Sequence, residues 1–271
     1  MSLLATAIAL LAAAPIAGDD PDSIIITGTP LTREEAKKRA AEYVRRSGVV
    51  QLKPLARWVD PVCPHTIGVD DHVAAIVNAR VRAVAAAAGA DVAPAECRPN
   101  IVVAFSADGR ALARAARRKA PQQFAELGPV ARDRVLDGTG AIRWWYTTRD
   151  ESRDGMPIND YYIKLYNSSI VSTQVVRALQ TATVVIDVHQ ADGTPLDSVA
   201  SYAAMVALAE FRSNPPPPKE SILALFDGET ERRELSRHDA ALLRGIYTVP
   251  PDREAFQQRR QLISTVRKES E

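Results

Sequence analysis

Two short apolar runs constrain this chain more than anything else in it: Ile101-Val102-Val103-Ala104-Phe105, and Val184-Val185-Ile186-Asp187-Val188 with a single acid inside. Each is too short for a globular helix, is rich in β-branched residues, and ends at a polar signal, Asp108 after the first and Asp192-Gly193 after the second. Both read as buried strands. Helix-start signals stand directly beside them, and strand beside helix implies layers. The expected fold class is therefore α+β, a mixed α/β layered single domain over residues 32–250, followed by a polar helix or tail at 251–271 that is free to stand apart.

The helix signals have a physical reading. Thr32-Arg33-Glu34-Glu35 is a capping box, and Gly48 lies just past the basic end Arg45-Arg46-Ser47, so a helix is predicted over 33–46. Asp70 or Asp71 caps a second helix whose apolar positions run from Ile76 to Ala88 and stop at Gly89. Its alanine density predicts close packing against a neighbour. Asp108 opens a third helix. Thr194-Pro195-Leu196-Asp197 offers an N-cap, a proline at N1 and an acid at N3 for a helix to about Phe211, apolar nearly all round and so central. The four prolines at 215–218 end that segment, and Ser236-Arg237-His238-Asp239 caps one more helix, to Tyr247. Between the strands, residues 141–166 form a hairpin or a long excursion about a charged turn from Arg149 to Gly155.

The first residues carry a different message. Met1 to Ala17 has no charged side chain, and the chain turns polar at Asp19-Asp20-Pro21-Asp22. This apolar stretch is short for a membrane span, and Ala14, Ala17 and Gly18 offer cleavage points. Residues 1–18 are expected to be a signal peptide and 19–31 a polar linker. The mature protein is then periplasmic or secreted, with no integral membrane span. The usual Lys or Arg is missing ahead of the apolar stretch, and a buried N-terminal helix is the other reading. In an oxidising compartment Cys63 and Cys97, the chain's two cysteines, are expected to pair; two buried thiols are the alternative.

Several chemistries are disfavoured. Lys and Arg number 34 against 33 Asp and Glu, so no global field favours a polyphosphate or an acidic membrane surface, and nucleic acid is not the expected partner. With 46% hydrophobic and 25% charged residues the chain is far from the disordered regime. Metal chemistry needs converging ligands, commonly two histidines one helical turn apart, and no two of His65, His72, His189 and His238 lie three or four residues apart. No G-x-S-x-G or S-x-x-K occurs, and Gly138-Thr139-Gly140 lacks the third glycine of a phosphate cradle. No metal and no cofactor are expected. Asp187 and His189, two apart on a strand, project to one face and are the best available base and orienter for a hydrolase; a polar strand edge is the plainer reading.

Two surface features remain. Arg110, Arg114 and Arg117 or Arg118 fall along one helical face, suited to an acidic partner or simply to water. Trp144, Trp145, Tyr146, Tyr161 and Tyr162 form the densest aromatic group. Adjacent strand residues face opposite ways, so this group either exposes a recognition surface or closes a second small core.

Three resemblances follow from these residues. Ser23-Ile24-Ile25-Ile26-Thr27-Gly28 resembles a short segment near the mature start of TonB-dependent outer-membrane receptors, a hint of the envelope only. The order strand, turn, apolar helix, Ser221-Ile222-Leu223, then Leu235-Ser236-Arg237-His238-Asp239 with Ile246-Tyr247 resembles the C-terminal half of matrixin-like zincin metallopeptidases over about 65 residues. In that family the helix carries H-E-x-x-H. Here the alignment puts Ser201 and Met205 at the two histidines and Tyr202 at the general-base Glu, so the resemblance implies a degenerate, non-catalytic relative. The chain is also similar to exported alphaproteobacterial proteins of no assigned activity with a D-Y-x-A-M helix, here Ser201-Tyr202-Ala203-Ala204-Met205. The expectation is an exported envelope protein, zincin-like in its last third, that binds an envelope partner through the 141–166 region. The alternative is a peptidase-like hydrolase with an unrecognised site.

Overall fold

The computed structural model describes residues 31–49, 53–152, 154–156, 158, 172–173, 175–212, 216–228 and 233–268. The expected leader and linker to Pro30, and Tyr161 and Tyr162, lie outside the described residues. From Leu31 onward the chain is one compact unit.

In chain order the described elements are α1 (Arg33–Arg46), β1 (Pro64–Ile67), α2 (Asp71–Ala88), β2 (Ile101–Ser106), α3 (Gly109–Lys119), α4 (Pro129–Asp137), β3 (Ile142–Ser152), β4 (Val175–Asp187), α5 (Leu196–Ala207), α6 (Arg237–Thr248) and α7 (Ala255–Lys268), with short 3-10 turns at Pro121–Phe124 and Ile222–Ala224. The four strands form one sheet in the order β1-β2-β4-β3, parallel across the first three, with β3 antiparallel at the edge. The mixed α/β layered class is thus what the chain adopts.

Period-two alternation divides the sheet between two cores. Ile101, Val103, Val184 and Ile186 face a large core with α1, α2, α5, α6 and α7. Ala104, Val185 and Trp145 face a smaller one closed by Ala113 of α3, Phe124, and Val135 and Leu136 of α4. The caps act as expected: Thr32 and Ser236 make reciprocal capping boxes, and Asp70 and Asp108 accept N–H groups from the first turns of α2 and α3.

Three expectations change. Pro195, not Thr194, is the N-cap of α5, because it is the Pro195 carbonyl that accepts the first helical N–H groups, those of Ser198 and Val199. This helix ends at Ala207 because the following residues pair with other segments, Ala209 with Arg57 and Phe211 with Val49. The C-terminal helix does not stand apart: Gln258, Leu262 and Val266, one turn from each other, give α7 a buried stripe within the large core. Gln258 also holds the Leu55 N–H at 2.7 Å and donates to the Pro250 and Pro251 carbonyls.

The hairpin reading of the middle is correct as far as Ile158. The Ser152 N–H donates to the Met156 carbonyl at 2.7 Å and the Ile158 N–H to that of Asp150 at 3.0 Å, reversing the chain at the end of β3.

Cys63 and Cys97 form a disulfide, with Cα atoms 6.0 Å apart, that ties the start of β1 to the loop before β2. Around it the Asn100 carboxamide accepts from the Cys63 N–H at 2.7 Å and donates to the Pro61 carbonyl, while Arg82 donates to the carbonyls of Ala93 and Pro94. No helix among the described residues is long and apolar enough to cross a membrane.

Candidate functional site

The sheet topology singles out one place. β2 and β4 are adjacent and parallel, yet β2 runs on into α3 over the small core and β4 into α5 within the large one. Where neighbouring parallel strands send their connections to opposite faces, the loops diverge and leave a crevice beyond the strand ends. A crevice of ≈ 200 Å³ opens there. Phe105, Ile186, Val188, Leu196 and Val199 give it apolar walls, and Ala191 to Thr194 form its rim. Asp192 is the one charged residue among the described ones that line it. Val188 is 38% exposed.

Gly68 helps build this end of the sheet. It has a φ of +84°, and a Cβ there would come within 2.1 Å of the Phe105 carbonyl oxygen, so the β1–α2 loop lies directly on the end of β2.

Across the sheet from the crevice, on the small-core face, sits Asp187. Its Oδ2 accepts the Gly109 N–H at 2.9 Å, at the start of α3, and its Oδ1 accepts the Gln190 N–H at 3.2 Å. The carboxylate thus caps a helix and a turn. Arg143 lies beside it, donating to the Gly138 carbonyl at 2.5 Å while its Nε and Nη1 are buried without a partner. Burial holds this guanidinium below the usual arginine range, against the opposing pull of Asp187.

The proposed base and orienter do not come together. β4 ends at Asp187, which is buried, and His189 follows in an exposed turn with no hydrogen bond between the two side chains. The same-face geometry of a strand does not extend past the strand's end. His65 points outward from edge strand β1, His72 is exposed in the first turn of α2, and the His238 ring packs tilted against the Tyr43 ring at 5.0 Å. Among the described residues no three His, Cys, Asp or Glu side chains converge as a metal site.

The described members of the aromatic group, Trp144, Trp145 and Tyr146, pack inward against the two cores, the second of the group's two readings. Trp145 is 1% exposed, stacks on Phe124 at 4.7 Å and donates to the Gln123 side chain. Trp144 is half-buried, donates to the Phe211 carbonyl and meets the Tyr202 ring edge-on at 6.0 Å. Tyr146 donates to the Val206 carbonyl at 2.5 Å, and burial pushes its phenol well above the usual tyrosine range. Both tryptophans find apolar cover because the edge strand is roofed on each face, a fact the local sequence does not contain.

The positions aligned with a metal helix do not fit a metal. Ser201 and Met205 are wholly buried, and the Ser201 hydroxyl is committed to the Arg233 carbonyl at 3.0 Å. Tyr202 packs between Trp144 and Phe226, and its phenol is pushed up by burial. A hydroxyl and a thioether inside a core are not a zinc donor set.

The two segments after α5 meet on one carboxylate. Asp239, wholly buried, accepts from the Ser221 hydroxyl at 2.6 Å and the Ile222 N–H at 2.8 Å, and from the Tyr43 hydroxyl at 2.6 Å. A larger groove of ≈ 480 Å³ runs along α7 past Arg253, Gln257 and Arg260, but its described walls come from one helix and the residues just before it, without converging elements.

Sequence reading missed the crevice. Its signal was present in the loops after the two apolar runs, but those loops become a site only once β2 and β4 are known to be neighbours. Comparison of the chain with protein-family models, with curated proteins and with solved structures finds no match in any of the three.

Proposed function

We propose that the chain is an exported, non-catalytic binding protein on a zincin-like frame, and that its ligand site is the crevice at the carboxyl ends of β2 and β4. The observation that carries this reading is the burial of every residue of α5 from Ser198 to Ala207. A helix that supplied metal ligands and a general base would open one face to substrate, and this one gives all its faces to the core. The zincin-like frame is supported by the order β4, turn, α5, Ser221–Leu223 and α6, and by the shared bonds of the last two segments to Asp239. Export is supported by the apolar leader and the disulfide.

The crevice is smaller than the ≈ 300–1,000 Å³ of sites for drug-sized ligands, so it suits a single apolar group, such as the anchor side chain of an envelope partner. Thermal denaturation with indole or 1-hexanol as surrogates tests this. Both are expected to raise the Tm of the wild type, and Ala191→Phe, which fills the crevice, is expected to abolish the shift. No shift in the wild type, or an undiminished one in the variant, removes the crevice from consideration.

Metal analysis of the mature protein tests the non-catalytic half. Stoichiometric zinc that disappears on replacing His189 would overturn it. The hydrolase alternative loses its best candidate pair, since Asp187 and His189 do not meet. N-terminal sequencing of the secreted or periplasmic fraction checks export, with loss of the apolar leader as the expected result.

A further inference from the structure

The layer over the small core carries a charge that the crevice does not use. α3 turns Leu112, Ala113 and Ala116 toward the sheet, and Arg110, Arg114, Arg117 and Arg118 follow one another along its outer face, with Lys119 at the end. Arg114 is paired with Asp137 of α4. Arg110, Arg117, Arg118 and Lys119 are exposed and have no ion pair among the described residues.

Residues 109–137 hold seven Lys and Arg against three Asp and Glu, in a chain whose totals balance at 34 against 33. Two of those acids are engaged, Asp137 with Arg114 and Glu126 with Arg177 and Thr148. The excess cations therefore face solvent.

We infer that this α3–α4 layer docks on an anionic phospholipid surface. Headgroup phosphates spread over a plane match the free guanidinium forks of Arg110 and of Arg117 and Arg118, about two helical turns apart, each able to take a phosphate by two hydrogen bonds. Val130, 65% exposed at the start of α4, offers an apolar side chain to the headgroup boundary. Single-stranded nucleic acid is disfavoured because the aromatics of this layer, Phe124 and Trp145, are buried and give bases nothing to stack on.

Vesicle flotation of the intact protein is the test. The protein is expected to float with vesicles in which about a third of the lipid is phosphatidylglycerol, and not with pure phosphatidylcholine. Arg117→Glu with Arg118→Glu is expected to weaken binding about tenfold or more. Lys38→Glu with Arg39→Glu, exposed positions on α1 with the same change in net charge, is expected to leave it within about twofold, as is the crevice variant Ala191→Phe.

Absence of binding to the anionic vesicles overturns the proposal, and so do equal losses in the two charge-reversed variants. Retention on immobilised polyglutamate without flotation would assign the face to an acidic polypeptide and overturn it as well.

Discussion

A carboxylate with no exposure is tolerable only when protein donors replace its water, and Asp239 shows how many that takes. Besides Tyr43, Ser221 and Ile222, it accepts from the Ser236 N–H at 3.0 Å and the Ser236 hydroxyl at 2.9 Å, joining α1, the 3-10 turn and α6 at one point. Burial and this charge together push the Tyr43 phenol far above its usual range. Asp239→Asn puts an amide donor against groups that already donate, with an expected cost of about 3 kcal/mol by urea denaturation. A loss below about 1 kcal/mol would show that the node is not holding these elements. Glu210 is a contrasting case. It pairs with Arg177, which also reaches Glu126, yet burial dominates and raises the Glu210 carboxyl above the usual range against the pull of Arg177. An acid whose folded pKa is raised binds more protons folded than unfolded, so its contribution is full below the unfolded value and is lost as pH rises through the folded one. Glu210→Gln removes that dependence. Denaturation of both proteins between about pH 4 and 8 is expected to show the stability difference moving toward the variant as pH rises.

At the scale of elements, the stripe on α7 makes a sharp claim. Leu262 is fully buried against the large core, so Leu262→Ala is expected to cost about 3 kcal/mol in a denaturation experiment; a free-standing tail would register almost nothing. The same helix shows what the sequence conceals. Its three buried positions are Gln258, Leu262 and Val266, and with a glutamine leading the stripe and arginines all around it, the segment reads as polar. Elements announced by side-chain caps were legible: α1 matches its capping box, and α2, Asp71–Ala88, ends at Gly89 as read and is capped by Asp70, the first of the two acids offered. Elements stabilised from a distance were not. β1 is four residues, Pro64–Ile67, and exists because the disulfide and Asn100 hold it in register with β2. β4 begins at Val175, well before its apolar run, because Arg177 is buried with acids from other segments and so does not interrupt the strand. α4 opens at a proline after an uncapped glycine, with only Val135 and Leu136 buried, too few apolar positions to show a period.

For the whole molecule, the layered class was legible from two apolar runs, while the site depended on topology that no local pattern encodes. β2 and β4 are separated by more than sixty residues containing α3, α4 and β3, and only their pairing creates the crevice. The disulfide acts at this same scale. It links residues 34 apart, and the loop it closes contains β1 and all of α2, so in the unfolded chain it removes conformations that no local contact restricts. The chain-entropy account gives about 4 kcal/mol for such a loop, which for a domain of this size corresponds to a Tm change of roughly 8–16 °C. The double variant Cys63→Ala with Cys97→Ala is therefore expected to keep the fold, by far-ultraviolet circular dichroism, and to melt lower by that interval. Reducing the wild type should reproduce the drop, because the constraint lies in the covalent link and not in the apolar contacts of Cys63. If the alanine variant melts low while reduced wild type melts high, the sulfur's packing, and not the link, is what stabilises this end of the sheet.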